Sequence, residues 1–423
     1  MGRVQKTIAV ISVIVILVLA AALGIFLWKE SGGSRTLGKD QESDGLQEEI
    51  FGEQGLSGNT GTSGEQELSG NAGTSGEQEQ SGNTGTSGEQ ESSGNAGNSG
   101  EADPSEEEPV ITDVSMIFTG DVMLGSSVRS NYDSKGIRGI LSEYLQQEMV
   151  QADITMVNQE FSFSTRGTPM PDKQYTFRAD PSYLSAFHEM GIDVVSLANN
   201  HALDYGTDAL LDTFAALDEA GIAYAGAGET KERAEQPIFL ECGGRTVGIL
   251  SASRVIPVVS WNIENRQPGL FCTYDSTALV AAIKEARKQC DYLLVYVHWG
   301  VERQAYPESY QRNLAQAYID AGADLVVGSH PHVPQGIEYY QGKPIVYSLG
   351  NFIFNPNMAK TYVLKVVWDA AGESRLKVIP VAAVNTFTSQ LERQEAEEML
   401  RYIESISYDV AIDGDGMVSN RRN

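Results

Sequence analysis

From residue 110 onward, the 423-residue chain predicts an α/β fold. Short apolar runs rich in β-branched residues alternate there with stretches of helical periodicity, the alternation that builds a largely buried sheet. Several of those runs end in polar turns, and in such sheets the carboxyl ends of strands carry the ligand crevice. At 41% hydrophobic and 21% charged, the composition is too mixed for a fibre and suits a globular domain with appended segments.

The elements follow in order. Residues 1–7 read as a short cytoplasmic tail bearing Arg3 and Lys6. Residues 8–28 are apolar except for Ser12 and Gly24, and at about 1.5 Å per residue they reach across a ~30 Å hydrocarbon core once. Ala20, Ala21 and Ala22 offer a signal-peptide cleavage alternative, but the apolar run continues past them to Trp28, which favours an uncleaved anchor. The expected location is the cell membrane, single-pass, with the bulk of the chain extracytoplasmic; Lys29, Arg35 and Lys39 on the far side leave the charge rule for orientation undecided. Residues 29–109 form a linker in which a 12-residue unit recurs from Ser57, as in SGNTGTSGEQEL and SGNAGTSGEQEQ. These units have almost no apolar face to stack, so they predict a disordered tether rather than a solenoid.

In the domain at 110–423, strands are expected at 114–118, 154–157, 194–197, 247–250, 292–297, 325–327, 345–347 and 363–368. Helices are expected at 137–149, 181–190, 207–220, 276–288 and 307–321, with one more near 391–406. The formal net charge of −27 leaves no basic footprint for nucleic acid, and neither a zinc finger nor an RNA-binding signature is present. Cys242, Cys272 and Cys290 are widely spaced and read as small core residues.

Of five histidines in the sequence, four fall in the turns after strands: His201, His298, His330 and His332. His330 and His332 stand at i and i+2, which in an extended segment puts both rings on one face, and Pro331 keeps His330 out of the α region. Together with carboxylates from Asp121 and Glu160 and the amide oxygen of Asn200, these imidazoles make a mixed N/O set. Such a set suits one or two divalent ions of Zn, Mn or Fe rather than calcium.

The segments FTGDVMLG (118–125), NQEFSFST (158–165), YTFRADP (175–181), SLANNHALDYGTDAL (196–210), VHWGVE (297–302), GSHPHVPQGIE (328–338) and YSLGNFIF (347–354) resemble, in this order, the CapA family of bacterial poly-γ-glutamate capsule synthesis proteins. That family is similar to the calcineurin-like metallophosphoesterases. The resemblance implies a four-layered α/β sandwich with a two-metal site, and it implies Asp121, Glu160, Asn200, His298, His330 and His332 as metal ligands. It further implies His201 as the acid for a leaving group, and poly-γ-glutamate and membrane synthase subunits as partners. Two positions depart from the metallophosphoesterase pattern: Met123 stands where those enzymes carry a histidine, and Glu160 where they carry a bridging Asp.

Asp204, at i+3 from His201, either fixes the imidazole tautomer or caps the helix beginning at Thr207. Arg166, Lys173 and Arg178 either hold a substrate carboxylate or phosphate or belong to a solvated loop balanced by Asp172 and Asp180. Asn351 is expected to line the pocket, Gly120, Gly328 and Gly350 to allow close backbone packing, and Trp299 and Phe352 to form pocket wall or core. The leading functional reading is poly-γ-glutamate capsule synthesis or export with a metal-binding, phosphoesterase-like site. Two rivals stand beside it. A general metal-dependent hydrolase of the cell envelope is favoured by His201 with Asp204, and a non-catalytic binding subunit of a membrane synthase by Met123.

Overall fold

The computed structural model describes residues 111–354 and 357–422. The tail, anchor and linker read at 1–7, 8–28 and 29–109 lie outside the described residues. Among the described residues no helix is long and apolar enough to cross a membrane.

Two sheets form the body of the domain. The larger is built around Val114–Val122, with Ile154–Gln159, Val194–Ser196 and Ala223–Ala225 added in parallel on one side. On its other side Met358–Trp368 and Ser374–Val384 continue it antiparallel. The smaller sheet has Arg245–Ser253, Tyr292–His298, Leu325–Ser329 and Lys343–Leu349 in parallel at its centre. Antiparallel strands Ile238–Cys242 and Pro334–Tyr340 close its edges.

Alternation along each strand decides what faces what. Met116, Phe118, Ile154 and Met156 of the larger sheet pack against Ile249, Leu294, Tyr296 and Val327 of the smaller, so the two sheets share one apolar core. Their neighbours Ile117, Val157 and Val195 point the other way, onto Leu145, Phe187, Leu210 and Phe214 of the helices Glu143–Gln151, Leu184–Met190 and Thr207–Ala220. The outer face of the smaller sheet is covered likewise, Val295 and Val326 meeting Leu279, Ile283 and Tyr318 of Thr277–Ala286 and Ser309–Asp320. The layers are helix, sheet, sheet, helix. With both faces covered, the central strands read as continuous apolar runs.

The strands outrun the apolar runs that predict them. Val114–Val122 takes in Thr119, Gly120 and Asp121 because Asp121 still pairs with Asn158 and Asn351 on its two flanks. The helix expected at 137–149 is divided into a 3-10 turn Gly136–Gly139 and Glu143–Gln151. Between them Ser142 donates its amide to Thr388 O, and its hydroxyl accepts from Leu145 N at 3.4 Å. That tertiary contact and N-cap override the periodicity. Helix Ser126–Lys135 carries too little apolar pattern to be expected, since Val128 is its buried residue. All three cysteines are free.

Gly350 is the hinge between the sheets. The chain leaves the smaller sheet at Leu349, turns through Gly350 at φ 73°, and joins the larger as Asn351–Ile353 beside the first strand. A Cβ on Gly120 would lie 1.7 Å from Gly350 O. Two glycines are therefore required for the sheets to meet here.

Candidate metal centre

The strands of both sheets bring their carboxyl ends to this hinge. Asp121 closes the first strand of the larger sheet, Glu160 follows Ile154–Gln159, and Asn200 and His201 lie in the turn after Val194–Ser196. The smaller sheet contributes His298 as the last residue of its strand, and His330 and His332 after Leu325–Ser329. The tail of that segment is not extended: His330 has φ 97° and His332 φ 58°. The two rings approach, with centroids 5.9 Å apart, through a tight strained turn and not through strand alternation as their spacing suggests.

Two sets of ligand atoms form, each within 4.8 Å: Glu160, His298 and His330 in one, and Asp121, Glu160 and His332 in the other. Glu160 belongs to both. Asn200 joins the first set, its Oδ1 lying 2.8 Å from His298 Nε2. Among the described residues seven buried side-chain polar atoms lack a hydrogen-bond partner, and four are here: Asp121 Oδ2, both Glu160 oxygens and His330 Nδ1. An orphaned buried polar atom costs about 1–3 kcal/mol, and more when charged, so this concentration fits an arrangement made for cations. Asp121 Oδ2 does lie 3.1 Å from His332 Nδ1, but that nitrogen is closer to Asn351 Oδ1, at 2.8 Å, and the Asp121 contact lacks hydrogen-bond alignment.

Electrostatics agree with geometry. Burial, with His330 and His332 alongside, pushes His298 well below the ordinary imidazole value. Burial and His332 push His330 down to about 4. Both rings are thus neutral at pH 7, the ligand form. Burial, then repulsion from Asp121, raises the Glu160 carboxyl well above the usual range. At His332 burial acts downward, but the Glu160 and Asp121 carboxylates outweigh it and raise the ring to about 10.

Further side chains, behind the ligands, orient them. Asn158 donates to Asp121 Oδ1 at 2.8 Å, and Asn199 donates to Asn158 Oδ1 at 3.1 Å. Ser329 Oγ is 3.0 Å from His298 Nδ1. Sequence reading misses these three residues, although Asn158 and Asn199 sit in the same polar turns as the ligands.

Beside the ligands, His201 Nδ1 is 2.7 Å from Asp204 Oδ2 and 3.1 Å from Lys173 Nζ; opposite an ionised Asp204 the ring proton belongs on Nδ1. Asp204 therefore orients His201, and no side-chain cap bond is made at the start of Thr207–Ala220. Asp204 Oδ2 also accepts from Phe177 N at 2.8 Å, while Oδ1 accepts from Lys173 Nζ. Lys173 donates further to Asn200 O at 2.5 Å and lies over the Trp261 ring. Phe177 packs against His201, and Phe354 against His332, with ring centroids 4.6 and 5.0 Å apart.

The other cations expected to meet substrate have protein partners. Arg166 is exposed and forked onto Asp212, with Asp208 nearby; its counter-charges are on helix Thr207–Ala220, and neither Asp172 nor Asp180 supplies them. Arg178 donates to Arg166 O at 2.6 Å and stacks on Tyr205, so it braces the loop. Asn351 is a partner of His332. Trp299 and Phe352 are core residues, Trp299 donating Nε1–H to Tyr347 O at 2.9 Å.

Residues 115–356 match the family described as bacterial capsule synthesis protein PGA_cap. The chain is 31% identical over 277 residues to the PGA biosynthesis protein CapA of Bacillus subtilis (strain 168), covering 63% of this chain and 71% of that protein. It is 32% identical over 257 residues to the capsule biosynthesis protein CapA of Bacillus anthracis, covering 59% and 61%. A probable polyglutamine synthesis accessory protein of Mycobacterium tuberculosis is 30% identical over 215 residues, covering 49% of this chain and 57% of that protein. Among solved structures, a hypothetical protein from Thermus thermophilus overlays with a TM-score of 0.40 at 17% identity, over 66% of this chain and 100% of that one, a likeness too low to carry anything further. On the extent of the family match and of the Bacillus subtilis alignment, the chain belongs to the PGA_cap family of bacterial capsule synthesis proteins.

Proposed function

We propose that this protein acts in poly-γ-glutamate capsule synthesis or export as a membrane-anchored, extracytoplasmic subunit whose domain is a metal-dependent, phosphoesterase-like hydrolase. The observation that carries the metal-dependent reading is Glu160: buried, with both oxygens unpartnered, and common to both ligand sets. The capsule pathway is supported by family membership and by the names of the relatives. Residues 8–28 support the anchor by length and hydropathy.

Asp121, Glu160, Asn200, His298, His330 and His332 would hold one or two ions of Zn, Mn or Fe. Ions there supply positive charge to a phosphoryl or carbonyl oxygen and lower the pKa of water toward ~7. The chain's own residues do the rest. Asp204 holds a proton on His201 Nδ1, so Nε2 is the nitrogen open to proton transfer. Burial favours the neutral ring, and Nε2 must therefore first take a proton from water before the resulting imidazolium passes it to a leaving group. Lys173 holds Asp204 from the other side. Phe177 and Phe354 pack beside the rings of His201 and His332.

The test is elemental analysis of the purified protein beside its His298→Ala and His330→Ala variants, with a chromogenic phosphodiester as substrate. Near-stoichiometric metal in the parent, its loss in the variants, and loss of turnover without loss of metal in His201→Ala are the expected results. No metal after loading with Zn and Mn would refute the reading. Met123 favours a second reading, a binding subunit that holds metal without turnover; there His201→Ala leaves polymer production intact.

A further inference from the structure

We infer that the face of the domain carrying the metal centre rests on a lipid bilayer, with the loops around the centre dipping apolar side chains into the headgroup region. The inference rests on the anchor reading of residues 8–28 and adds to it which end of the domain turns to the membrane.

Three observations carry it. The first is where the exposed apolar surface lies. Among the described residues twelve large apolar or aromatic side chains are exposed, and six of them stand on four loops around the ligands. Val259, the most exposed at 74%, opens the 3-10 turn Val259–Trp261, whose Trp261 ring lies under Lys173; Tyr175 is two residues from that lysine. Val301 and Tyr306 follow His298 on a loop where Arg303 N donates to Pro331 O at 2.8 Å, between His330 and His332. Val384 and Phe387 pair across the hairpin turn at Asn385 and Thr386. Asn385 N donates to Asn357, three residues past Phe354 and its contact with His332, so this tip also stands at the carboxyl end of the first strand.

The second is how these side chains are spread. They stand singly or in pairs on separate loops at one end of the domain. A protein partner of ordinary size needs a continuous, complementary patch of about 800 Å² a side. A bilayer takes up separated side chains at a common level, and tyrosine is enriched at its interface. Charge does not direct the docking, since Arg254 and Arg303 share these loops with Asp172, Glu302 and Glu308.

The third is reach. Residues 29–110 lie between the apolar stretch and the first described residue, and as a flexible coil that length would span on the order of 50 Å. The first strand begins at Val114, about 23 Å from Asp121 at the usual rise of a strand, so that length lets the far end turn to the bilayer. Tied so close, a surface too weak to hold a free protein on a membrane becomes populated. A centre held there meets substrate as it leaves the membrane.

The experiment uses the full-length protein in phosphatidylcholine nanodiscs, with tryptophan introduced at single sites and quenched by lipid brominated on its acyl chains. Val259→Trp and Phe387→Trp report from the face, and Val150→Trp, 56% exposed in the native residue, from the amino end of the strands. Emission of the parent, which has four tryptophans, is subtracted. The added emission at 259 and 387 should be mostly lost in brominated discs, and that at 150 retained. Val259→Asp with Val301→Asp should restore the emission of Phe387→Trp, because the loops dock together. Phe387→Trp keeps the test open if Val259→Trp fails to fold. Equal quenching at 150 and at the face, or none at the face in protein retained on the discs, would overturn the inference and leave the loops to a protein partner. Emission at 387 unmoved by the two aspartates would overturn docking as one face. Protein that does not stay with the discs would overturn the anchor reading, and this inference with it.

Discussion

Lys173 and Asp204 meet next to His201, and separating them should show how much of this corner depends on one charge pair. The Asp204 side chain is fully buried and that of Lys173 only 14% exposed. Asp204 accepts from Lys173, from His201 Nδ1 and from Phe177 N, so Asp204→Asn leaves three donors around an amide that is itself half donor. Lys173 would retain Asn200 O as its remaining acceptor. Removing one partner of a buried pair costs about 3–5 kcal/mol, because the other charge is left uncompensated. Lys173→Met is milder, since Asp204 keeps the His201 and Phe177 donors; losing one charged hydrogen bond costs about 1.5–3 kcal/mol. The double variant removes both charges, so its cost should fall short of the sum by about 2 kcal/mol. Guanidinium unfolding of the four proteins, with chelator present throughout and midpoints compared at unchanged slope, measures this. Additivity within about 0.5 kcal/mol would refute the pair and the account of how His201 is oriented.

Other expectations follow from the same geometry. Asn351→Ala should weaken metal binding about 10–100-fold with no change of fold, by freeing the His332 ring; competition with a fluorescent chelator reads it. Gly120→Ala should destabilise the domain by about 3 kcal/mol or more, because its methyl would strike the Gly350 carbonyl, and thermal unfolding at a wild-type midpoint would contradict the hinge packing. Metal uptake should release protons at pH 7: His332, raised to about 10 in the metal-free fold, is protonated there and must lose that proton to coordinate. Affinity should therefore weaken as pH falls below about 10, and calorimetry in buffers of different ionisation enthalpy should show a proton count above zero. In the same metal-free protein, the stability that His332 contributes is complete below its unfolded value of about 6.5 and is lost as pH rises toward about 10.

Much of the fold was legible because the central strands are buried on both faces, and such strands read as apolar runs whatever their partners. The apolar signal stops, however, where the site begins. The strand through Thr119, Gly120 and Asp121 is held by pairing with Asn158 and Asn351, which no local pattern announces. The long helix expected at 137–149 failed for the same reason, since Ser142 turns away to meet Thr388, far along the chain.

By itself the sequence determined the donor types, because imidazoles, carboxylates and an amide stand at the ends of apolar runs, where an α/β sheet exposes its loops. It also determined that glycine is needed at 120 and 350, though not that these two residues meet. Only the tertiary structure decided how the donors divide, with Glu160 common to both sets. It also decided which cations remain near the site: Lys173 is drawn in by Asp204, while Arg166 is held outside by Asp212. Composition cannot convey such choices, since a charge takes the partner that the packing of distant segments brings within about 4 Å, and its neighbours in sequence have no claim on it.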